Sequence, residues 1–161
     1  MATVVEFAPV LAPTTRDRVL VVEDSPTVLT VVKYFLELEG FEVLTAEDGL
    51  KGLETAKREL PRVIVSDVFM PGMDGMEMVK ALRSDPATQD TAIMLLTSAN
   101  SVESEAEGFA AGADDYVLKP VEPRRLAARV RALLARSKGS RSVSAGQPEM
   151  DSDLAVPAAA S

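Results

Sequence analysis

Short apolar runs alternate with longer amphipathic stretches over most of the chain. Apolar runs of four to six residues are typical of strands buried on both faces of a parallel sheet. We predict five such strands, at 18–23, 41–46, 63–67, 92–97 and 115–119. Apolar residues at helical spacing follow each run. The predicted helices lie between Ser25 and Gly40 and at 49–59, 76–83, 102–111 and 122–136.

Regular alternation of strands and helices predicts a parallel sheet covered by helices on both faces. Right-handed crossovers restrict the topology to a doubly wound α/β fold, for which we expect the strand order 2-1-3-4-5. The predicted domain covers residues 17–136. Residues 1–16 are apolar and interrupted by prolines, which indicates a flexible arm. Residues 137–161 are rich in Ser, Ala, Gly and Pro, which is typical of a linker or disordered tail.

Composition excludes several classes of chemistry. The 161 residues suffice for one domain and contain no Cys and no His, which excludes thiolate metal sites and Ser-His or Cys-His catalysis. A net charge of -8 disfavours direct contact with nucleic acid. The chain has no apolar run long enough for a membrane span and no signal-like start, so we expect a cytoplasmic protein.

Polar residues stand where four of the five predicted strands end. Glu23 and Asp24 follow the first strand, Asp67 ends the third, Thr97 ends the fourth and Lys119 ends the fifth. In open parallel sheets, ligands bind beyond the carboxyl ends of the strands, where the strand order reverses. We therefore expect three carboxylates to converge there, with a hydroxyl and an ammonium beside them.

Three neighbouring carboxylates repel one another unless a cation compensates, and oxygen ligands of this kind suit Mg²⁺. A lysine and a hydroxyl suit phosphoryl oxygens, and a carboxylate can act as a nucleophile towards phosphorus. Taken singly, each residue also has a structural explanation, such as a helix cap or a solvated surface charge. Their joint placement favours a site that accepts a phosphoryl group.

Four segments, VLVVEDS, VIVSDVFMPGMDG, IMLLTSA and GADDYVLKP, resemble the receiver domain of two-component response regulators, a CheY-like superfamily with a flavodoxin-like fold. The resemblance extends over about 18–136. It implies a phosphoacceptor, a Mg²⁺ site, a phosphate-binding lysine and a two-residue switch. Asp67 matches the phosphoacceptor and Lys119 the phosphate-binding lysine. The metal ligands would be Glu23, Asp24, Asp67 and the carbonyl of Phe69. Thr97 and Tyr116 match the two switch residues.

The resemblance also implies partners. A histidine kinase or phosphotransfer protein would supply the phosphoryl group, and the surface of the fourth helix, fifth strand and fifth helix would control a downstream protein or output domain. The last helix resembles that of receivers joined to winged-helix transcription factors, which form homodimers through this surface. Asp115 and Arg129 match one cross-subunit pair. Glu105 and Arg125 match another with the charges exchanged; a solvated mixed-charge face is the alternative.

Two further positions bear on the lifetime of the phosphorylated state. Phe69 and Ala99 occupy family positions that influence attack by water, and both are apolar, so we expect slow autodephosphorylation. The resemblance implies a switch that modifies only itself. One alternative is an aspartate-nucleophile phosphatase, which Phe69 disfavours because such enzymes have a second Asp at this position. Two others are a receiver fragment of a larger cyclase, kinase or transcription factor, and a phosphorylation-independent scaffold.

Overall fold

A computed structural model describes residues 16–98 and 102–143, with side chains described through Arg136. Strands and helices alternate along the chain. The five strands are β1 (Arg18–Val22), β2 (Glu42–Ala46), β3 (Val63–Asp67), β4 (Ala92–Thr97) and β5 (Asp115–Leu118). The five helices are α1 (Pro26–Leu38), α2 (Gly49–Glu59), α3 (Gly75–Arg83), α4 (Val102–Ala111) and α5 (Pro123–Val143).

The last helix differs from the sequence prediction. It continues to Val143, beyond the predicted end at Arg136. The residues after Arg136 include Gly139 but no proline before Pro148, so no residue in them lacks the backbone N–H that a helix requires. Residues 1–15 of the predicted arm lie outside the described part of the chain. The same is true of residues 144–161 of the predicted tail and of Ala99.

Local sequence sets where the helices start. The Ser25 side chain accepts a hydrogen bond from the Val28 amide at the start of α1, and Asp48 does the same for Lys51 in α2. Asp74 starts α3 with a capping box. Its carboxylate accepts a hydrogen bond from the Glu77 amide, and the Glu77 side chain accepts one from the Asp74 amide. These caps fix the starts of α1, α2 and α3 in the loops that follow β1, β2 and β3.

The strands form one parallel sheet in the order β2-β1-β3-β4-β5, as the sequence predicts. The register pairs Val22 of β1 with Ser66 of β3, so the residues that follow them, Glu23 and Asp67, lie next to each other at the end of the sheet. Because β1 and β3 are neighbours but their helices lie on opposite faces, the crevice between their carboxyl ends is open to a ligand.

Two apolar layers enclose the sheet. Alternate residues of each strand point to opposite faces, so Val19 and Val21 pack with α1 and α5, whereas Leu20 and Val22 pack with α2, α3 and α4. This burial fixes the positions of the strand ends that carry the polar residues. Within the described residues, no helix is both long and apolar enough to cross a membrane.

Candidate functional site

The three predicted acidic residues meet at the carboxyl ends of β1 and β3. Glu23, Asp24 and Asp67 each place a carboxylate oxygen within 4.8 Å of the other two. Backbone amides orient two of the carboxylates: the Ser25 N–H donates to Glu23 Oε2 at 3.1 Å, and the Val68 N–H donates to Asp67 Oδ1 at 2.8 Å. The predicted convergence is therefore present in the structure.

Burial makes this concentration of negative charge costly. Glu23 is buried and Asp67 is 9% exposed, whereas Asp24 is exposed to solvent. The ammonium of Lys119 offsets part of the repulsion, with Nζ at 3.1 Å from Glu23 Oε1 and 3.4 Å from Asp67 Oδ2. Partial burial lowers the pKa of Lys119, but the hydrogen bond to Glu23 and the charge of Asp67 outweigh it, so the pKa lies above its usual value. Lys119 is therefore a cation held inside the acidic cluster.

The donor atoms fit a divalent cation such as Mg²⁺. All three side chains offer hard carboxylate oxygens, the ligand type that Mg²⁺ prefers. Two oxygens bound to one Mg²⁺ lie at most about 4.2 Å apart, because each Mg–O distance is about 2.1 Å. The oxygens lie within 4.8 Å of one another, so the side chains would draw closer together around one octahedral ion, in which neighbouring oxygens are about 3.0 Å apart. Phe69, whose carbonyl is the fourth predicted ligand, lies in the loop after β3.

A close backbone approach brings α3 against the acidic cluster. A Cβ atom on Gly75 would lie 2.4 Å from the carbonyl oxygen of Asp67, and the Gly75 amide donates to the Val68 carbonyl at 2.8 Å. Only glycine allows this approach, which closes the loop between Asp67 and the start of α3. Gly75 is not evident as a site residue from the sequence alone, although it is the last residue of the segment VIVSDVFMPGMDG.

Thr97 and Lys119 are joined through the backbone of neighbouring strands. Thr97 is fully buried at the end of β4, and its carbonyl accepts a hydrogen bond from the Lys119 amide at 2.8 Å. The Lys119–Pro120 peptide bond is cis. The predicted hydroxyl and the predicted ammonium thus belong to adjacent strand ends beside Asp67, which ends β3.

Tyr116 lies on the other side of β4 from the acidic cluster. Its ring packs against Gly108 of α4, and its centroid lies 6.3 Å from that of Phe109. Its hydroxyl is one of the buried side-chain atoms in the described residues for which no hydrogen-bond partner is present. The ring is therefore packed inward, with its polar end unsatisfied.

Charged residues of the predicted dimer surface lie around one groove. The groove has a volume of about 710 Å³ and is lined by residues of α4, β5 and α5, among them Glu105, Tyr116, Arg125 and Arg129. Arg129 Nη1 contacts both carboxylate oxygens of Asp115, at 2.8 and 2.9 Å, within the same chain. Arg129, which the sequence predicts to pair with Asp115 of a second subunit, is thus paired with Asp115 of its own chain.

Comparison with known proteins agrees with the motifs. A family model for the response regulator receiver domain matches residues 19–131. The alkaline phosphatase synthesis transcriptional regulatory protein PhoP of Bacillus subtilis is 39% identical over 136 residues, which cover 84% of this chain and 54% of that protein. The DNA-binding dual master transcriptional regulator RpaA of Synechocystis is 38% identical over 120 residues, covering 74% of this chain and 50% of that protein.

A solved structure shows the same similarity in three dimensions. The chemotaxis response regulator CheY4 of Vibrio cholerae is 39% identical, with a TM-score of 0.71, and the match covers 74% of this chain and 100% of that one. This chain therefore spans the whole of CheY4 but about half the length of the two transcriptional regulators it matches.

Proposed function

The chain belongs to the response regulator receiver domain family, and we propose that it is a switch operated by transfer of a phosphoryl group to Asp67. The observation that carries this proposal is the placement of Lys119 Nζ 3.4 Å from Asp67 Oδ2, within a cluster of three carboxylates. A nucleophilic oxygen, a cation-binding oxygen set and a fixed ammonium are the groups that phosphoryl transfer requires.

The reaction uses a phosphohistidine of a histidine kinase or phosphotransfer protein as donor. A carboxylate oxygen of Asp67 forms a bond to phosphorus while the phosphorus–nitrogen bond breaks, and the released imidazole takes up a proton. Lys119 is placed to balance charge on a phosphoryl oxygen. Glu23, Asp24, Asp67 and the Phe69 carbonyl would hold Mg²⁺, which supplies further charge neutralisation when bound.

Phosphorylation then changes the balance between two conformations. Thr97 is buried on the strand next to Asp67, so its hydroxyl can turn towards a phosphoryl oxygen, and Tyr116 follows on the neighbouring strand. The output surface, formed by α4, β5 and α5, includes Tyr116. A charge placed on Asp67 therefore shifts the population of this surface.

The output is a downstream protein or an attached domain. Two relatives are transcriptional regulators by name, and this chain spans about half their length, so a transcriptional output is the favoured form of this proposal. The receiver itself would act through protein contacts, including a homodimer through the output surface, and not by contacting nucleic acid, since its net charge is -8.

A phosphatase acting on external substrates fits the site less well. Such enzymes of the aspartate-nucleophile class need a second acid two residues after the nucleophile, and Phe69 has no ionisable group. An assay with small phosphoesters separates the two functions, because the switch hypothesis expects no sustained turnover.

A titration with beryllofluoride, a phosphoryl mimic, tests the proposal. Mg²⁺ and beryllofluoride are added to the wild-type chain, and amide resonances of residues near Thr97 and Tyr116 are followed by NMR. We expect shifts in the wild type and none in Asp67→Asn. Asp24→Asn serves as a second variant, because Asp24 is exposed and lies outside the Lys119 ion pairs, and it should require more Mg²⁺ for the same response. Identical responses in wild type and Asp67→Asn would refute the proposal.

A further inference from the structure

The ring of Tyr116 occupies space that exists only because residue 108 is glycine. A Cβ atom built on Gly108 would lie 2.8 Å from Tyr116 Cδ2 and 3.0 Å from Cε2, and 3.3 Å from Leu95 Cδ1. A contact of 2.8 Å between carbon atoms is far below the optimal separation of about 3.5–4.0 Å. Any side chain at residue 108 must therefore displace the ring or the helix.

We propose that Gly108 is a positioning residue that allows Tyr116 to take its inward position, against α4, and so sets the resting balance of the switch. The effect on the switch rests on the proposed function, whereas the steric relation between Gly108 and Tyr116 rests only on the distances given above. Gly108 acts through Tyr116, because the described atoms nearest to a Cβ at this position belong to Tyr116 and Leu95 and not to Asp67 or Lys119.

The displaced ring has a place to go. Tyr116 also lines the groove of about 710 Å³ between α4 and α5, whose walls include Val102, Leu118 and Val121. Rotation about the Cα–Cβ bond moves an aromatic ring between such staggered positions without moving the backbone. The ring can therefore leave the space over Gly108 for this solvent-facing groove, which is lined by both apolar and charged residues.

Two opposing effects act on the inward position of the ring. The ring gains packing against α4, but the Tyr116 hydroxyl is buried without a partner among the described residues, which is costly. A ring in the groove would lose the packing and regain hydrogen bonds to water. Because the packing of the ring and the burial of its hydroxyl oppose each other, one methyl group at residue 108 is enough to shift the ring outward.

The ring position is linked to the site through one face of the sheet. Leu95 pairs in register with Tyr116, and Thr97 follows Leu95 by two residues, so all three side chains point to the same face. Leu95 and Tyr116 pack in the same apolar cluster. A side chain at residue 108 that drives the ring outward therefore acts against any movement of Thr97 that draws the ring inward.

Fluorine NMR of the full chain labelled with 3-fluorotyrosine tests this directly. The chain has two tyrosines, so the spectrum has two signals, and Tyr34, exposed on α1, is the internal reference. We expect the Tyr116 signal of the wild type to show little solvent isotope shift between H₂O and D₂O. In Gly108→Ala the shift should rise towards that of Tyr34, while the Tyr34 signal stays unchanged. A Tyr116 signal equally shielded in both proteins would overturn the proposal.

The response to activation gives a second readout. In Gly108→Ala, half-maximal change of the amide resonances near Thr97 should need a several-fold higher beryllofluoride concentration than in the wild type, because the ring must first return inward; an unchanged midpoint would count against the proposal. If the wild type itself does not respond, the proposed function fails, but the comparison of solvent shielding still decides the role of Gly108. Should Gly108→Ala not fold, the double variant Gly108→Ala/Tyr116→Ala must fold, because the ring is gone. A double variant that also fails to fold would overturn the inference.

Discussion

At the scale of single residues, Phe69 is placed to affect the lifetime of the proposed phosphorylated state. It follows Asp67 by two positions and is 57% exposed, with an apolar ring that can neither donate nor accept a proton. Hydrolysis of an acyl phosphate is faster where a polar group orients the attacking water. Wild-type protein should therefore lose its phosphoryl group slowly.

Replacing Phe69 by a polar residue should shorten this lifetime. In Phe69→Gln we expect phosphate release to accelerate by roughly tenfold, less than a fully positioned general base contributes. Phe69→Leu is the matched control, because it keeps the position apolar and leaves the backbone carbonyl in place, and its rate should equal that of the wild type. Phosphate release after phosphorylation with a small-molecule donor measures both. A wild-type lifetime of seconds would contradict the hypothesis.

Residues differ in how far the sequence predicts their roles. Glu23, Asp24 and Asp67 could be placed because each lies at a strand end, and the topology of a parallel sheet fixes where strand ends meet. Gly75 and Gly108 could not, since their importance depends on distances to atoms of other elements. The same holds for the pairing of Asp115 with Arg129 inside one chain, which depends on side-chain conformation and not on spacing.

At the scale of elements, the end of α2 is a weak point in backbone geometry. Leu60 caps the helix with φ 49° and ψ 59°, a left-handed conformation that costs a residue with a Cβ about 1–2 kcal/mol. Glycine adopts it freely and is the usual residue at this position. The sequence gives no sign of this cap, because leucine is not typical of a left-handed position.

Leu60→Gly should stabilise the protein by about 0.5–1 kcal/mol, because relief of the steric cost exceeds the entropy lost by glycine. Leu50 is the matched control: it is 54% exposed and Leu60 is 53% exposed, but Leu50 is the second residue of α2, in right-handed helical conformation. Leu50→Gly should therefore destabilise the protein by about 0.5 kcal/mol, less than in the helix interior. Urea unfolding midpoints should move in opposite directions, and a shift in the same direction would disprove the explanation from backbone strain.

Arg83, the last residue of α3, joins three segments that the sequence analysis treated as separate. Its Nε donates to the Gly112 carbonyl at 2.9 Å, and Nη1 donates to the carbonyls of Thr91 and Gln89 at 2.7 and 2.8 Å. Its Nη2 contacts Asp114 Oδ2 at 2.9 Å. One guanidinium thus connects the end of α3 to the start of β4 and to the turn before β5.

Arg83→Met should destabilise the protein by about 2 kcal/mol, because it leaves two partly buried backbone carbonyls without their donors, while the exposed ion pair with Asp114 contributes little. Arg58→Met is the control: Arg58 is exposed and contacts the neighbouring Glu59, and its loss should change stability by less than about 0.5 kcal/mol. Chemical denaturation measures both variants. Equal effects would show that the connections made by Arg83 contribute little.

Predictions of elements succeeded where burial decides them. The five strands follow from apolar runs that pack on both faces, as in β3, where all five residues are buried. Their order follows from the doubly wound topology. The end of α5 did not follow, since the prediction relied on apolar periodicity, which stops at Leu134, whereas the helix continues as far as Val143. Without proline, a polar segment can remain helical beyond the last residue that packs on the core.

At the scale of the whole molecule, β5 connects the acidic site to the output surface. Lys119, just beyond this strand, contacts Glu23 and Asp67, whereas Tyr116 and Asp115 on the same strand contact α4 and α5. A change of charge at one end of a short strand is thus adjacent to the surface on which partners would bind. The output surface carries acids and bases around one groove, which makes association sensitive to their arrangement.

Exchanged charges on this surface make the predicted homodimer testable. In a twofold-symmetric dimer, residue i of one chain meets residue j of the other and the reverse contact is also made, so Glu105 and Arg125 would pair twice. Glu105→Arg and Arg125→Glu should each weaken beryllofluoride-dependent dimerisation, measured by sedimentation velocity, because like charges then face each other. The double variant Glu105→Arg/Arg125→Glu should restore it, since both pairs are complementary again. If the single variants associate as well as the wild type, the two residues are solvated charges and the dimer, if it forms, uses other contacts.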